Sequence, residues 1–176
     1  MSKGVLTVVS GFSGAGKGTV MRRLLEKYDD CVLSISVTTR KPREGEVDGR
    51  DYFFRTKEEV EAMIEADELL EYAQYVENYY GTPRAYVEEM LSRGKNVILE
   101  IEIQGAMKIK EKISDTVLVF VTPPTIRELK NRLVGRGTET QAVIESRLRR
   151  AAEEAEGIES YDYLLVNDVV ENCVDE

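Results

Sequence analysis

The sequence predicts an α/β fold in which a parallel sheet is covered by helices on both faces, with a smaller lobe inserted into it. Three observations carry that expectation. Short apolar runs alternate along the chain with stretches of helical period, which is the pattern of successive strand-helix units. The first apolar run, Val5 to Val9, leads directly into a glycine-rich turn and then an amphipathic helix. From about Thr38 to Gly81 the pattern changes to short strands and a single helix, so that stretch reads as an insertion.

Taken in order, Val5 to Ser10 reads as a buried strand and Thr19 to Tyr28 as the helix after it, with Val20, Leu24 and Leu25 on one face. Leu33 to Val37 reads as a second strand. Thr38 to Gly49 is a polar loop rich in turn residues and positive charge. Tyr52 to Phe54 is a short strand. Thr56 and Glu59 have the spacing of a capping box, opening a helix that carries Val60, Met63 and Ile64. Leu69 to Val76 is strand-like. Thr82 as N-cap and Pro83 at the first helical position open the next helix, which stops at Gly94. Asn96 to Ile101 reads as a central parallel strand that delivers Glu100 and Glu102 to the sheet edge. A helix follows with Ala106, Ile109 and Ile113 inward, and Thr116 to Val121 is another buried strand, halted by Pro123 and Pro124. Thr125 and Glu128 suggest a second capping box, for a helix lined by Leu129 and Leu133. Gly135 and Gly137 interrupt it, a charged helix runs from about Thr140 to Glu156, and Tyr163 to Val166 is the final strand.

The glycine-rich turn is where chemistry first shows. Residues 11 to 19 read Gly-Phe-Ser-Gly-Ala-Gly-Lys-Gly-Thr. A phosphate is held by several backbone N–H groups aimed at one point, an arrangement that Gly11, Gly14 and Gly16 permit and the following helix N-terminus reinforces. Lys17 supplies a mobile charge for the outer phosphates. Gly18 stands where the commonest form of the motif has a metal-holding Ser or Thr, and Thr19 follows it.

Composition narrows the partners. The chain has 176 residues, 42% hydrophobic and 32% charged, which is one compact domain's worth. A net charge of −9 argues against a nucleic-acid duplex as partner, because that binding needs a dense basic surface. No apolar run is long enough for a transmembrane helix, and no secretory leader is visible, so no membrane association is expected. Two cysteines, Cys31 and Cys173, make no disulfide framework and suit a reducing cytoplasm. With no histidine at all, a His-dependent general base and a structural zinc site are excluded. Within this acidic chain Arg40, Lys41, Arg43 and Arg50 form one basic group; Arg127, Arg132, Arg136, Arg147, Arg149 and Arg150 form another. Each is either a phosphate site or a solvated face paired with glutamates.

Seven further stretches go with the phosphate loop: Ser-Ile-Ser-Val-Thr-Thr-Arg-Lys-Pro-Arg-Glu-Gly-Glu (34 to 46), Gly-Arg-Asp-Tyr (49 to 52), Leu-Glu-Tyr-Ala (70 to 73), Asn-Tyr-Tyr-Gly-Thr (78 to 82), Leu-Glu-Ile-Glu-Ile-Gln-Gly (99 to 105), Gly-Arg-Gly-Thr-Glu-Thr (135 to 140) and Val-Asn-Asp (166 to 168). In order and spacing they resemble guanylate kinases, over about residues 5 to 168. The resemblance implies transfer of the γ-phosphoryl of ATP to GMP or dGMP, with magnesium, on a P-loop kinase core carrying a GMP-binding lobe and a lid. The corresponding division is 1 to 37, 82 to 124 and 157 to 176 for the core, 38 to 81 for the lobe, and 125 to 156 for the lid and following helix.

The resemblance also implies roles, residue by residue. Arg40, Arg43, Tyr52 and Tyr80 match the ligands of the acceptor phosphate, for which guanidinium forks are suited by geometry. Glu71 matches the acid that reads the N–H donors of guanine, and Ser36 and Thr82 match its hydroxyl contacts. Glu102 would reach the base and Glu100 the water shell of magnesium, with Thr19 as the metal's other neighbour. Residues Gly11, Phe12, Ser13, Gly14, Ala15, Gly16, Lys17, Gly18 and Thr19 would bind ATP. Arg132, Arg136 and Arg147 match arginines that embrace its phosphates on closure, so Lys17, Arg40, Arg132 and Arg147 would carry the catalysis. Asn167 and Asp168 resemble adenine-side contacts, with a turn role as the alternative. Relatives continue past Val-Asn-Asp into a helix packed on the core. With the sequence ending at Glu176, the resemblance implies uncovered apolar surface and lowered stability at roughly 25 cal/mol per Å². Other readings remain open at this point: a kinase for another monophosphate, a catalytically silent phosphoprotein-binding module, and a nucleotide switch.

Overall fold

A computed structural model describes residues 3 to 75, 77 to 135, 137 and 140 to 176. The elements run β1 (Leu6–Gly11), α1 (Lys17–Lys27), β2 (Cys31–Leu33), β3 (Val37–Thr38), β4 (Phe53–Phe54), α2 (Lys57–Glu65), β5 (Leu69–Tyr75), β6 (Asn78–Pro83), α3 (Arg84–Ser92), β7 (Asn96–Glu100), α4 (Ile103–Lys112), β8 (Val117–Thr122), α5 (Ile126–Gly135), α6 (Gln141–Ala155), β9 (Tyr163–Val166) and α7 (Val170–Asp175). Five strands form one parallel sheet in the order β2-β7-β1-β8-β9, and four form a second sheet in the order β4-β3-β6-β5.

The parallel sheet is covered on both faces, as strands rich in Val, Ile and Leu require. On one side Leu6, Val8, Val97, Leu99 and Leu118 meet Val87 and Leu91 of α3 and Ala106 and Ile109 of α4. On the other, Val9, Ile98, Phe120 and Val121 meet Val20 and Met21 of α1, Leu129 and Leu133 of α5, and Ile144 and Ala151 of α6. Because β1 is central, its C-terminal end opens between two neighbours, which is where parallel sheets hold ligands. No helix among the described residues is long and apolar enough to cross a membrane.

Four local expectations are corrected. The strand expected over Leu33 to Val37 is split: β2 ends at Leu33 in the first sheet, while Val37 already pairs with Phe53 and Gly81 in the second. Ser34 to Ser36 is the crossing between sheets. The second sheet takes in Val37, Thr82 and Pro83. Thr82 does not cap α3; Pro83 does, without a side-chain bond, and the Thr82 hydroxyl instead donates to Glu71. The capping box at Thr56 and Glu59 forms with both bonds. At Thr125 only one bond forms, because the Glu128 carboxylate turns down the helix to Arg132. Finally, a helix does follow Val-Asn-Asp. In α7, Cys173 and Val174 are buried in the core, and Glu171 and Asp175 pair with Arg23 and Lys27 of α1.

Candidate active site

The phosphate loop is closed by its own backbone. The Ala15 N–H donates to the Phe12 carbonyl at 2.9 Å, and Gly16 is the N-cap of α1 in the left-handed region at φ 90°. A side chain there is disfavoured twice, by that φ and because a Cβ would stand 2.5 Å from Asn167 Nδ2. The Lys17 ammonium reaches back over the loop to the carbonyls of Gly11 at 2.7 Å and Phe12 at 3.4 Å. It lies in a cavity of about 660 Å³ with Gly11, Ser13, Arg147, Arg150 and Glu154, and Arg147 Nη1 donates to Ser13 Oγ at 2.7 Å. Gly18 and Thr19 are exposed on the first turn of α1.

Behind the loop, a clasp forms from two residues expected to meet ATP. Arg132 donates to the Ala15 carbonyl at 3.2 Å, to the Asn167 carbonyl at 2.9 Å and to Glu128 at 2.9 Å. Asn167, only 2% exposed, donates through Nδ2 to the same Ala15 carbonyl at 2.8 Å. In this conformation both support the loop from behind, which differs from the phosphate and adenine contacts that the resemblance implies. The cause is local: the Ala15 carbonyl is turned into the core, and a buried carbonyl needs donors. Asp168 is exposed in the turn after β9. Arg136 lies outside the described residues.

A second cavity, of about 290 Å³, opens on the other side of the sheet edge, lined by Ser34, Ser36, Tyr52, Thr82 and Glu100 among others. Of the residues expected on the acceptor side, Ser36, Tyr52 and Thr82 line it. Tyr52 and Tyr80 meet edge to face at 6.1 Å, and the Arg40 guanidinium lies over Tyr52 at 5.3 Å. Burial raises the Tyr52 phenol above its usual pKa. Glu71, 7% exposed on β5, accepts from Thr82 Oγ1 at 2.7 Å. Burial pushes its carboxyl above the usual range, an effect that the Thr82 bond offsets only in part and the nearby Glu102 adds to. A Cβ on Gly105 would come within 3.2 Å of Glu71 Oε2 and 3.5 Å of Glu102 Oε1, so the start of α4 lies against both acids. Glu102 is the N-cap of α4, accepting from the N–H groups of Gln104 at 3.0 Å and Gly105 at 2.8 Å.

Sequence reasoning missed Glu46. Its carboxylate holds Arg40 bidentately at 2.9 and 3.0 Å and accepts the Arg43 N–H at 2.7 Å. The Arg40 guanidinium accordingly holds the Glu46 carboxyl below its ordinary pKa. The available signal was a glutamate three residues after Arg43, inside a basic loop.

A smaller space of about 220 Å³ joins the two halves, with Ser10, Lys17, Glu100, Glu102 and Glu154 around it. No group of three or more Asp, Glu, Cys or His among the described residues could cage a metal. The oxygen donors present fit magnesium that arrives on nucleotide phosphates and keeps most of its waters.

Residues 3 to 176 match the family model described as guanylate kinase. A guanylate kinase of Oceanobacillus iheyensis is 56% identical over 98% of this chain and 84% of its own length. One of Clostridioides difficile is 55% identical over 100% of this chain and 86% of its length. Among solved structures, guanylate kinase from Anaplasma phagocytophilum superposes with a TM-score of 0.76 at 36% identity, covering 99% of this chain and 82% of that one. Shikimate kinase from Bacteroides thetaiotaomicron, at 15% identity and a TM-score of 0.50 over 97% of this chain and 94% of its own, shares the fold.

Proposed function

Because the chain belongs to the guanylate kinase family of ATP-dependent nucleoside monophosphate kinases, we propose how its residues divide the transfer of the γ-phosphoryl of ATP to GMP. The observation that carries the reading is Glu71, a buried carboxylate bonded to Thr82, which lines the acceptor cavity. It accepts the N1–H and N2–H donors of guanine, and adenine, which lacks that pair, leaves it unsatisfied. Ser36, Thr82 and Glu102 complete the base contacts. Arg40, Arg43, Tyr52 and Tyr80 take the phosphate of GMP or dGMP, with Glu46 holding Arg40 in position.

On the donor side, the loop from Gly11 to Thr19 receives the β- and γ-phosphates, and Lys17 and Arg147 neutralise their charge. Arg132 and Asn167 act from behind the loop, through Ala15, and Arg136 is assigned to ATP by the family match alone. Catalysis of this kind needs little covalent work; the residues hold two anions in line, and closure keeps water from taking the phosphoryl group. Thr19, and Glu100 through water, stand nearest to magnesium carried in with ATP. With Thr19 and Glu100 beside it, magnesium would supply positive charge to offset that of the transferred group. The division into core (1 to 37, 82 to 124, 157 to 176), GMP lobe (38 to 81) and lid (125 to 156) belongs to the same reading. So does a cytoplasmic role in purine nucleotide metabolism, supported by two unpaired cysteines, without nucleic-acid or membrane partners.

The experiment is coupled ADP formation with ATP and each of GMP, dGMP, AMP, CMP and UMP, for the parent and Lys17→Ala. Activity is expected with GMP and dGMP only, falling by orders of magnitude in the variant. A preference for AMP overturns the assignment of the base site.

A further inference from the structure

On α6, residues 147, 150 and 154 share one face by their spacing, beside the buried stripe of Ile144 and Ala151. The bond from Arg147 to Ser13 fixes the direction of that face, which looks at the phosphate loop. Arg150 and Glu154 lie on it. Both line the donor cavity with Lys17, and both also line the neighbouring cavity of about 490 Å³ that runs to Glu102 at the start of α4. Arg149 lines only the latter.

The side chain is oriented as well as near. Arg150 Nε donates to Glu154 Oε1 at 3.1 Å, and among the described residues its two terminal nitrogens have no hydrogen-bond partner. Anchoring Nε fixes the plane of the guanidinium and leaves up to four N–H donors, the fork geometry that suits phosphate oxygens. Glu154, for its part, is the more buried of the two, with its side chain 22% exposed. An ordinary solvated pair would sit on the outer face of the helix, away from both cavities.

We propose that Arg150, positioned by Glu154, is a further phosphate-contacting arginine that donates to the phosphoryl group as it passes between the two nucleotides. The inference rests on the GMP kinase reading above. In that transfer a phosphate oxygen of GMP forms the new bond to the γ-phosphorus, the bond to the β,γ-bridging oxygen breaks, and ADP leaves with that electron pair. Negative charge spreads over the equatorial oxygens meanwhile, so a donor aimed at them acts on turnover rather than on substrate affinity.

The test is steady-state kinetics of the parent, R150A and R150K with ATP and GMP, together with thermal unfolding and added guanidinium. R150A is expected to lower kcat about tenfold or more with both KM values within about threefold, because only a transition-state contact is lost. Its Tm stays at the parent value, R150K retains part of the lost turnover, and guanidinium far below unfolding concentrations restores part of it in R150A. A kcat for R150A within about twofold of the parent overturns the proposal, and so does a rise confined to the KM for ATP, which would mark ground-state binding. A parent inactive on GMP would instead sink the functional reading itself.

Discussion

Replacing Glu71 by Gln tests base recognition and predicts opposite effects on catalysis and stability. The carboxylate is 7% exposed and accepts one bond, from Thr82 Oγ1 at 2.7 Å. Guanine brings two more donors, and a glutamine can turn only one oxygen to them while its own N–H groups face a donor. Hydrogen bonds to charged groups are worth about 1.5–3 kcal/mol each, so loss of roughly 3 kcal/mol raises the KM for GMP about 150-fold. The KM for ATP should stay within about threefold, since the donor cavity does not include Glu71. Coupled ADP formation over a range of each nucleotide reads both constants, and a GMP KM within about threefold of the parent refutes the reasoning.

The same residue has a pH signature. Burial raises the Glu71 carboxyl above its ordinary value of 4.5. The stability linked to that shift is present in full below 4.5 and is lost as pH rises through the raised value, because ionisation of a buried acid costs more in the folded state. Glu71→Gln, which cannot ionise, should therefore unfold at a higher temperature than the parent at neutral pH without GMP. Guanine needs the ionised form, so kcat/KM for GMP in the parent should climb with pH through the same raised value, and this limb should be absent in the variant. An unchanged limb would assign it to another group.

Glu46→Gln loses the charge that aligns Arg40 and is expected to raise the KM for GMP about tenfold and leave that for ATP unchanged, as separate titrations of the two substrates would show. Asn167→Ala leaves a buried carbonyl with one donor fewer, costing about 1–3 kcal/mol, to be read as a lower denaturation midpoint with a raised KM for ATP. Val174→Ala in α7 should cost about 2 kcal/mol of stability, measured by denaturant unfolding, with kinetics unaffected; no loss would mean that α7 does not hold the core.

Most of the fold was legible because its elements obey local rules. The buried strands β1, β7 and β8 are apolar runs bounded by turn residues, and α2 carries both halves of its capping box. What sequence reasoning misjudged depends on contacts from afar. Thr82 has the residue type and spacing of an N-cap, yet a buried acid eleven positions earlier takes its hydroxyl, since an unsatisfied carboxylate there would cost more than an uncapped helix end. Leu33 to Val37 reads as one strand because a change of sheet leaves no mark on apolar period. Likewise, the phosphate and guanine residues are named by motif, whereas Glu46 is visible only once the loop folds back over Arg40.

The clasp at Ala15 changes how the two halves of the site depend on each other. Phosphate loops bind anions with N–H groups, so their carbonyls must turn the other way, into the protein. Here one such carbonyl meets Asn167 from the end of β9 and Arg132 from α5. Arg132 also holds the Asn167 carbonyl, so movement of α5 away from the loop would break bonds to both at once. The loop N–H groups and α5 are thereby tied through a single peptide. Within the proposed lid segment, 125 to 156, a motion that conserves these bonds must pivot beyond Arg132, near the end of α5 at Gly135. Among the described residues a Cβ on Gly135 would meet nothing within 4 Å, so a substitution there is read through the backbone alone, and Gly135→Pro is expected to lower kcat while leaving the phosphate loop and its ATP affinity intact. Loss of ATP binding in that variant, measured by calorimetry, would show instead that the pivot lies inside the clasp.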